Sequence, residues 1–322
     1  MQNRRLLKWL FYGHVWIALA ATSLSWLSLR LAYGHQDCIA EWPVLMFSFF
    51  STLGVYTFHR YLSFQRAGER PTTRRYEIVA RHPNVSLLVG GTSLLIAGVM
   101  CISFLKTIWP ALLLALPVTV FYLTPPAKGW PRLRDLPYMK NIFVALAWTI
   151  MTAVVPVWVV EAQADYFRVE YTNDLMGLIS LFSCGIDPLS YPNFYLDLLT
   201  RFLFTACIAL LFDLRDVPLD RSQGVRTVAG EKPGLHRQLV DIGLLCCGAL
   251  SLFTTHNGCI YPGPETSLCV AYVLALAAAH FTYPKTDEDW FAVAVNGLLL
   301  LPPVLYFIAG FLGGNAGAMG GF

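Results

Sequence analysis

The chain has 322 residues, of which 56% are hydrophobic and 13% charged, with a mean hydropathy of +0.54 and a formal net charge of +3. A soluble core cannot absorb that share of apolar side chain, so the composition excludes an ordinary globular enzyme and points to an all-α membrane protein. The small positive charge is scattered over short loops, which argues against nucleic acid and leaves membrane lipids and phosphorylated substrates as the natural counter-charges.

Apolar segments long enough to cross about 30 Å of hydrocarbon fall at 6–32, 43–63, 85–105, 107–124, 141–161, 195–214, 238–256, 265–283 and 290–312. They predict a bundle of about nine transmembrane helices in a single domain, 1–312, with a loose Gly-rich tail at 313–322. Arg4, Arg5 and Lys8 precede a first apolar run too long for a signal peptide, so it reads as one retained helix. Only Lys106 and its neighbours separate the third and fourth segments, which predicts a tight helical hairpin, and Pro302-Pro303 predicts a kink in the ninth. With the N-terminus inside, 19 of the 23 Lys and Arg fall on the cytoplasmic side, as the positive-inside rule expects, and the C-terminus lies opposite.

The longest loop, about 162–194, is acidic and falls on the outer side. Cys38, Cys184 and Cys259 share that side, where two of them could pair if the compartment is oxidising. The eight cysteines form no CxxC pair, so no zinc or redox motif is indicated. His14, His280, Asn296 and Glu161 are polar groups in or beside apolar helices, for which interhelical hydrogen bonds are the commoner explanation than a functional role.

The sharpest local signal lies at the inner end of the sixth segment, Phe212-Asp213-Leu214-Arg215-Asp216-Val217-Pro218-Leu219-Asp220-Arg221-Ser222-Gln223-Gly224-Val225-Arg226-Thr227. Asp213, Asp216 and Asp220 are spaced to lie within about 60° of one another on a helix of 3.6 residues per turn. Pro218 is expected to kink or end that helix near Val217. Carboxylates on one face, at a membrane boundary and beside arginines, suit a Mg²⁺ diphosphate site, because the hard ion takes a few carboxylates and leaves positions for phosphate oxygens. The alternative is a solvated loop in which Asp and Arg simply pair and end a helix.

The pattern D-x-x-D-x-x-x-D-R-x-x-G-x-R-T resembles the second aspartate-rich motif of the UbiA superfamily of intramembrane prenyltransferases, matched by Asp213, Asp216, Asp220, Arg221, Gly224, Arg226 and Thr227. Tyr122-Leu-Thr-Pro125, followed by a basic loop and Lys140, is similar to that family's tyrosine and lysine segment. The resemblance implies a nine-helix prenyltransferase fold that transfers an isoprenoid from its diphosphate to an aromatic or lipid acceptor. It further implies Mg²⁺ on Asp213, Asp216 and Asp220, with Arg221, Arg226, Lys140 and Tyr122 at the isoprenoid diphosphate.

The family's first motif, N-D-x-x-D-x-x-x-D, should fall on Val55 to Ser63, where the chain reads Val-Tyr-Thr-Phe-His-Arg-Tyr-Leu-Ser and holds no carboxylate. His59 and Arg60, with Arg70, Arg74 and Arg75 downstream, could neutralise a phosphorylated headgroup there in place of a metal. Lipid anchoring of the arginines and a helix-capping role for His59 are the plainer alternatives. Loss of the first motif also fits a rival reading, a catalytically inactive relative kept as a lipid-binding or structural subunit of a membrane complex. The intact second motif opposes it.

Overall fold

A computed structural model describes residues 2–33, 41–66, 74–162, 193–254, 264, 266–283, 285 and 287–319. These form 13 helices: α1 (Gln2–Tyr12), α2 (Val15–Tyr33), α3 (Glu41–Arg66), α4 (Glu77–Arg81), α5 (Pro83–Ile102), α6 (Leu105–Leu123), α7 (Lys140–Ala162), α8 (Phe194–Ser222), α9 (Val228–Glu231), α10 (Pro233–Thr254), α11 (Thr266–Thr282), α12 (Glu288–Leu298) and α13 (Leu301–Met319). Among the described residues six helices are long and apolar enough to cross a membrane, or seven if α12 and α13 count as one bent span. Of the other two expected crossings, α11 has 17 residues, and α3 is long but diluted by polar side chains such as Ser48, Ser51, Thr57 and His59.

The helices follow one another round a ring. α2 packs on α3, α3 on α5, α6 on α7, α7 on α8, α8 on α10, α10 on α11 and α11 on α13, which returns to α2. Two apolar clusters fill the interior. One joins Leu24, Leu27, Phe204, Leu211, Leu244, Tyr272 and Phe291, and the other joins Leu29, Val44, Phe47, Phe104, Ile108 and Val155, so α2 serves both. Leu88, Leu95, Leu113 and Leu114 of α5 and α6 point outward and exposed, as lipid-facing positions do. Small residues set the closest approach: a Cβ added at Gly54 of α3 would sit 2.7 Å from Leu94 Cγ of α5, so only glycine lets these backbones meet.

Three expectations are corrected. The first segment is broken at Gly13-His14, where His14 takes a φ of 66°, so α1 and α2 are two separate helices. The proline at 218 neither ends nor interrupts α8, which continues to Ser222. The turn between α5 and α6 is made by Ser103 and Phe104, with Lys106 already inside α6. The backbone of α13 runs on as helix to Met319, into the Gly-rich stretch. The kink expected from Pro302-Pro303 is present as a 45° bend between α12 and α13. Cys38, Cys184, Cys259, Arg70 and nearly all of the acidic loop lie outside the described residues.

Candidate functional site: a charged cavity at one end of the bundle

α8 brings its three acids to one face, as a helix carried through Pro218 must. Asp213 and Asp220 are each 1% exposed, and the Lys140 ammonium at the start of α7 lies between them, 2.8 Å from Asp213 Oδ1 and 2.9 Å from Asp220 Oδ2. Asp216 Oδ2 is 3.8 Å from the same nitrogen. Asn141 Nδ2 donates to Asp213 Oδ2 at 2.6 Å, and Arg134 approaches Asp220 Oδ1 at 3.4 Å. Asp216 Oδ1 accepts from Arg75 at 2.8 Å and from Arg215 at 3.1 Å. Each carboxylate therefore has at least one cation against it. A charge removed from water is tolerated on just those terms.

Beside this network lies a cavity of about 170 Å³. Lys140, Asp213 and Asp216 line it, and so do Arg60, Arg75 and Arg215, which bring α3 and the turn after it to the end of α8. Arg60 and Arg75 both lie over the Tyr76 ring, at 5.2 and 5.5 Å, while Arg215 lies over Phe212 at 5.0 Å. Burial alone would push the Arg75 guanidinium down, but the charge and hydrogen bond of Asp216 and the charge of Glu288 lift it above its ordinary value. An adjoining cavity of about 40 Å³ shares Ile17, Tyr56, Val144, Ala209 and Phe212 with the first and is otherwise lined by groups such as Trp148, Ile208 and Leu299. Charge thus gives way to apolar surface going inward.

α1 lies against the cavity, with Phe11 and Tyr12 in its wall and His14 at the break beside them. Lys8 pairs with Glu77 at 2.9 Å, holding that carboxyl below its usual range, and the Tyr12 hydroxyl donates to Asp289, which also takes Arg74. Burial and that hydrogen bond both raise the Tyr12 phenol, so it stays a proton donor. A π-type turn at Phe291–Val295 offers the Val293 carbonyl to Trp16 Nε1 at 3.2 Å, tying α2 to α12.

The structure gathers some of the sequence-derived site residues and separates others. Asp213, Asp216, Lys140, Arg60 and Tyr122 line the cavity; Asp220 stands behind it on Lys140 and Arg134. His59 does not line it, since its Nε2 meets the Thr119 carbonyl at 3.1 Å and its ring stacks on Tyr122. Arg221 and Arg226 lie outside it as well. Gly224, at φ 71°, turns the chain back after α8 so that Arg221 donates to the Gly230 carbonyl and Arg226 pairs with Glu231 at 2.6 Å. Thr227 caps α9 by accepting from Gly230 N–H. Of the arginines after α3, Arg75 reaches the cavity while Arg74 is spent on Asp289.

Arg215 and Asn141 join the site without having been singled out, and His14 and Asn296, noted only as polar groups in apolar helices, both line the cavity. Their only sequence signal was an ionisable or amide group where apolar residues are the rule. The Mg²⁺ expected from the acid spacing is not matched by this donor set. Among the described residues no group of three or more His, Cys, Asp or Glu is arranged to hold a metal ion, and the acids converge on an ammonium. No family model, curated protein or solved structure matches the chain.

Proposed function

We propose that this protein is a divergent UbiA-like intramembrane protein that binds an isoprenoid diphosphate, headgroup at the charged cavity and tail toward the apolar interior, and transfers the isoprenoid to an aromatic or lipid acceptor. The observation that carries the reading is the adjacency of a cavity edged by Arg60, Arg75, Arg215 and Lys140 to one walled mostly by apolar side chains, with Thr205 and Asn296 among them, a pairing that suits an amphiphile with an anionic head. In the transfer the allylic C–O bond breaks with its electron pair going to the diphosphate oxygen, whose charge the guanidinium groups offset. The acceptor supplies an electron pair to the allylic cation and loses a proton to water at the mouth. Tyr56, Tyr122 and Phe212 present aromatic rings around the space where that cation would form.

The rival reading, a non-catalytic lipid-binding subunit of a membrane complex, is favoured by one observation: the acids that would serve chemistry are already neutralised by Lys140, Arg75, Arg134 and Arg215. An assay of the purified protein for diphosphate release from farnesyl or geranylgeranyl diphosphate, with Asp216→Ala beside it, separates the two. Release by the natural protein that falls in Asp216→Ala supports transfer. Binding without release in either, with other subunits co-purifying, overturns it in favour of the rival.

A further inference from the structure

We propose that the headgroup site needs no divalent metal: the Lys140 ammonium fills the point on which the carboxylates converge, and Arg60, Arg75 and Arg215 take the diphosphate directly. This rests on the reading of the cavity as a diphosphate site and names how that site is charged.

The carboxylate end is the first part of the argument. Lys140 Nζ donates to Asp220 Oδ2 at 2.9 Å and stands at ion-pair distance, 2.8 Å, from Asp213 Oδ1, which has no hydrogen-bond donor aligned on it. Mg²⁺ would need oxygens at about 2.0–2.1 Å in octahedral array. To enter there it would have to expel an ammonium whose side chain is 10% exposed, and that ammonium has nowhere else to be neutralised as well. Asp216 is left with Oδ2 alone, because its Oδ1 is divided between Arg75 and Arg215, and that oxygen already lies 3.8 Å from the Lys140 ammonium. In effect the protein carries its own cation where a metal would sit.

The guanidinium end is the second part, and it is independent of the first. Arg60, Arg75 and Arg215 line one small cavity, each mounted on an aromatic face: Tyr76 under two of them, Phe212 and Phe291 under the third. A ring holds a guanidinium by its flat side without neutralising it, so the in-plane N–H donors not already on Asp216 remain free to fork onto an anion. Asp216 and, at 3.9 Å from Arg75, Glu288 are the carboxylates that reach this trio. Arg60 has no hydrogen bond or ion pair to a carboxylate among the described residues, and the buried Arg75 Nε has no hydrogen-bond acceptor. Three cations so close repel one another, and the arrangement lacks the negative charge that a multiply charged diphosphate would bring. Where the resembled family carries its first aspartate motif, α3 has no carboxylate: His59 and Ser63 stand at two of the aspartate positions, beside Arg60, which would bind phosphate as a donor and not through a metal.

The test uses full-length protein in detergent and farnesyl diphosphate as the probe, titrated once in EDTA and once in millimolar Mg²⁺. Affinities within about threefold in the two conditions are expected, with Arg60→Gln weakening binding about tenfold or more in EDTA, the loss that one charge-assisted hydrogen bond represents. Arg60→Lys, which keeps charge but loses the fork, should recover part of it. Thermal unfolding of each variant reports folding, and Arg215→Gln is read in place of Arg60→Gln should the latter not fold. Binding seen only with Mg²⁺ and indifferent to the arginine variants overturns the inference and leaves the proposed function standing. Absence of binding in both conditions overturns the proposed function and this inference with it.

Discussion

The two ends of α8 solve the same problem in opposite ways. Near its first turns Arg201, 5% exposed, buries a guanidinium among neutral acceptors: the Leu24 carbonyl at 3.0 Å, Thr152 Oγ1 at 3.0 Å and Ser28 Oγ at 3.1 Å. A π-type turn in α7, Ile150–Val154, presents Thr152 there. At the other end Asp213, Asp216 and Asp220 are met by full charges on Lys140, Arg75, Arg134 and Arg215, beside an open cavity. The first arrangement is a closed staple of three helices in which dipoles make the direct contacts and the Asp197 carboxyl, one turn away, adds a longer-range charge interaction. The second is a mixed-charge cluster with a cationic surplus facing space, which is how a ligand site differs from a packing device.

The comparison makes graded predictions. Lys140→Met should cost the most, about 3–5 kcal/mol, because it strands buried carboxylates without their shared cation. Thermal unfolding in detergent measures it, and an unchanged midpoint would break the picture of a charge network. Arg201→Met should cost less, about 1–3 kcal/mol, since its hydrogen-bonded acceptors are neutral and retain partners, and Asp197 is linked to it only at longer range. Ser28 Oγ still donates to the Thr152 carbonyl and Thr152 Oγ1 to that of Trp148. Should Arg201→Met prove the more damaging of the two, the ranking of charge against dipole compensation fails.

Smaller effects sharpen the boundary of the site. Tyr12→Phe removes one of the fastenings of α1 to Asp289 and should raise amide exchange in α1 about fivefold, the equivalent of about 1 kcal/mol, while α8 is unaffected. Equal exchange in both proteins would mean that the other contacts of α1 hold it alone. The least effect is expected from acid. The hydrogen bond from Arg226 and that from Tyr138 bring the Glu231 carboxyl down to about 2 from 4.5, so its contribution is full above the ordinary value and is lost as pH falls from there toward 2. Exposed as the pair is, the effect on the unfolding midpoint between those pH values should be slight and absent in Glu231→Gln.

Much of the charged end was legible in sequence because helical spacing is geometry. Acids at i, i+3 and i+7 must share a face, and Asp213, Asp216 and Asp220 do. What they face was not legible. Lys140 lies far away in sequence on another helix, and nothing in the spacing separates an ammonium from a metal ion as the partner of three acids. Arg221 and Arg226 illustrate the converse limit, since their neighbours Gly224 and Glu231 turn them to local partners. The break at Gly13-His14 was invisible because hydropathy reports burial and carries no information on where a helix breaks. Pro218 was over-read: a proline removes one helical hydrogen bond, to the Leu214 carbonyl, and at the polar mouth of a bundle the rest of the turn survives that loss.

The central claim is that phosphate binds to the guanidinium groups of the cavity while Lys140 keeps the carboxylates. An experimental structure of the full chain with a non-hydrolysable farnesyl thiodiphosphate and Mn²⁺ tests both halves at once. The account predicts phosphorus density against Arg60, Arg75 and Arg215, with Lys140 Nζ still between Asp213 and Asp220 and no Mn²⁺ anomalous signal there. A Mn²⁺ peak on Asp213, Asp216 and Asp220 with Lys140 displaced, or a headgroup bound away from the cavity, would contradict it.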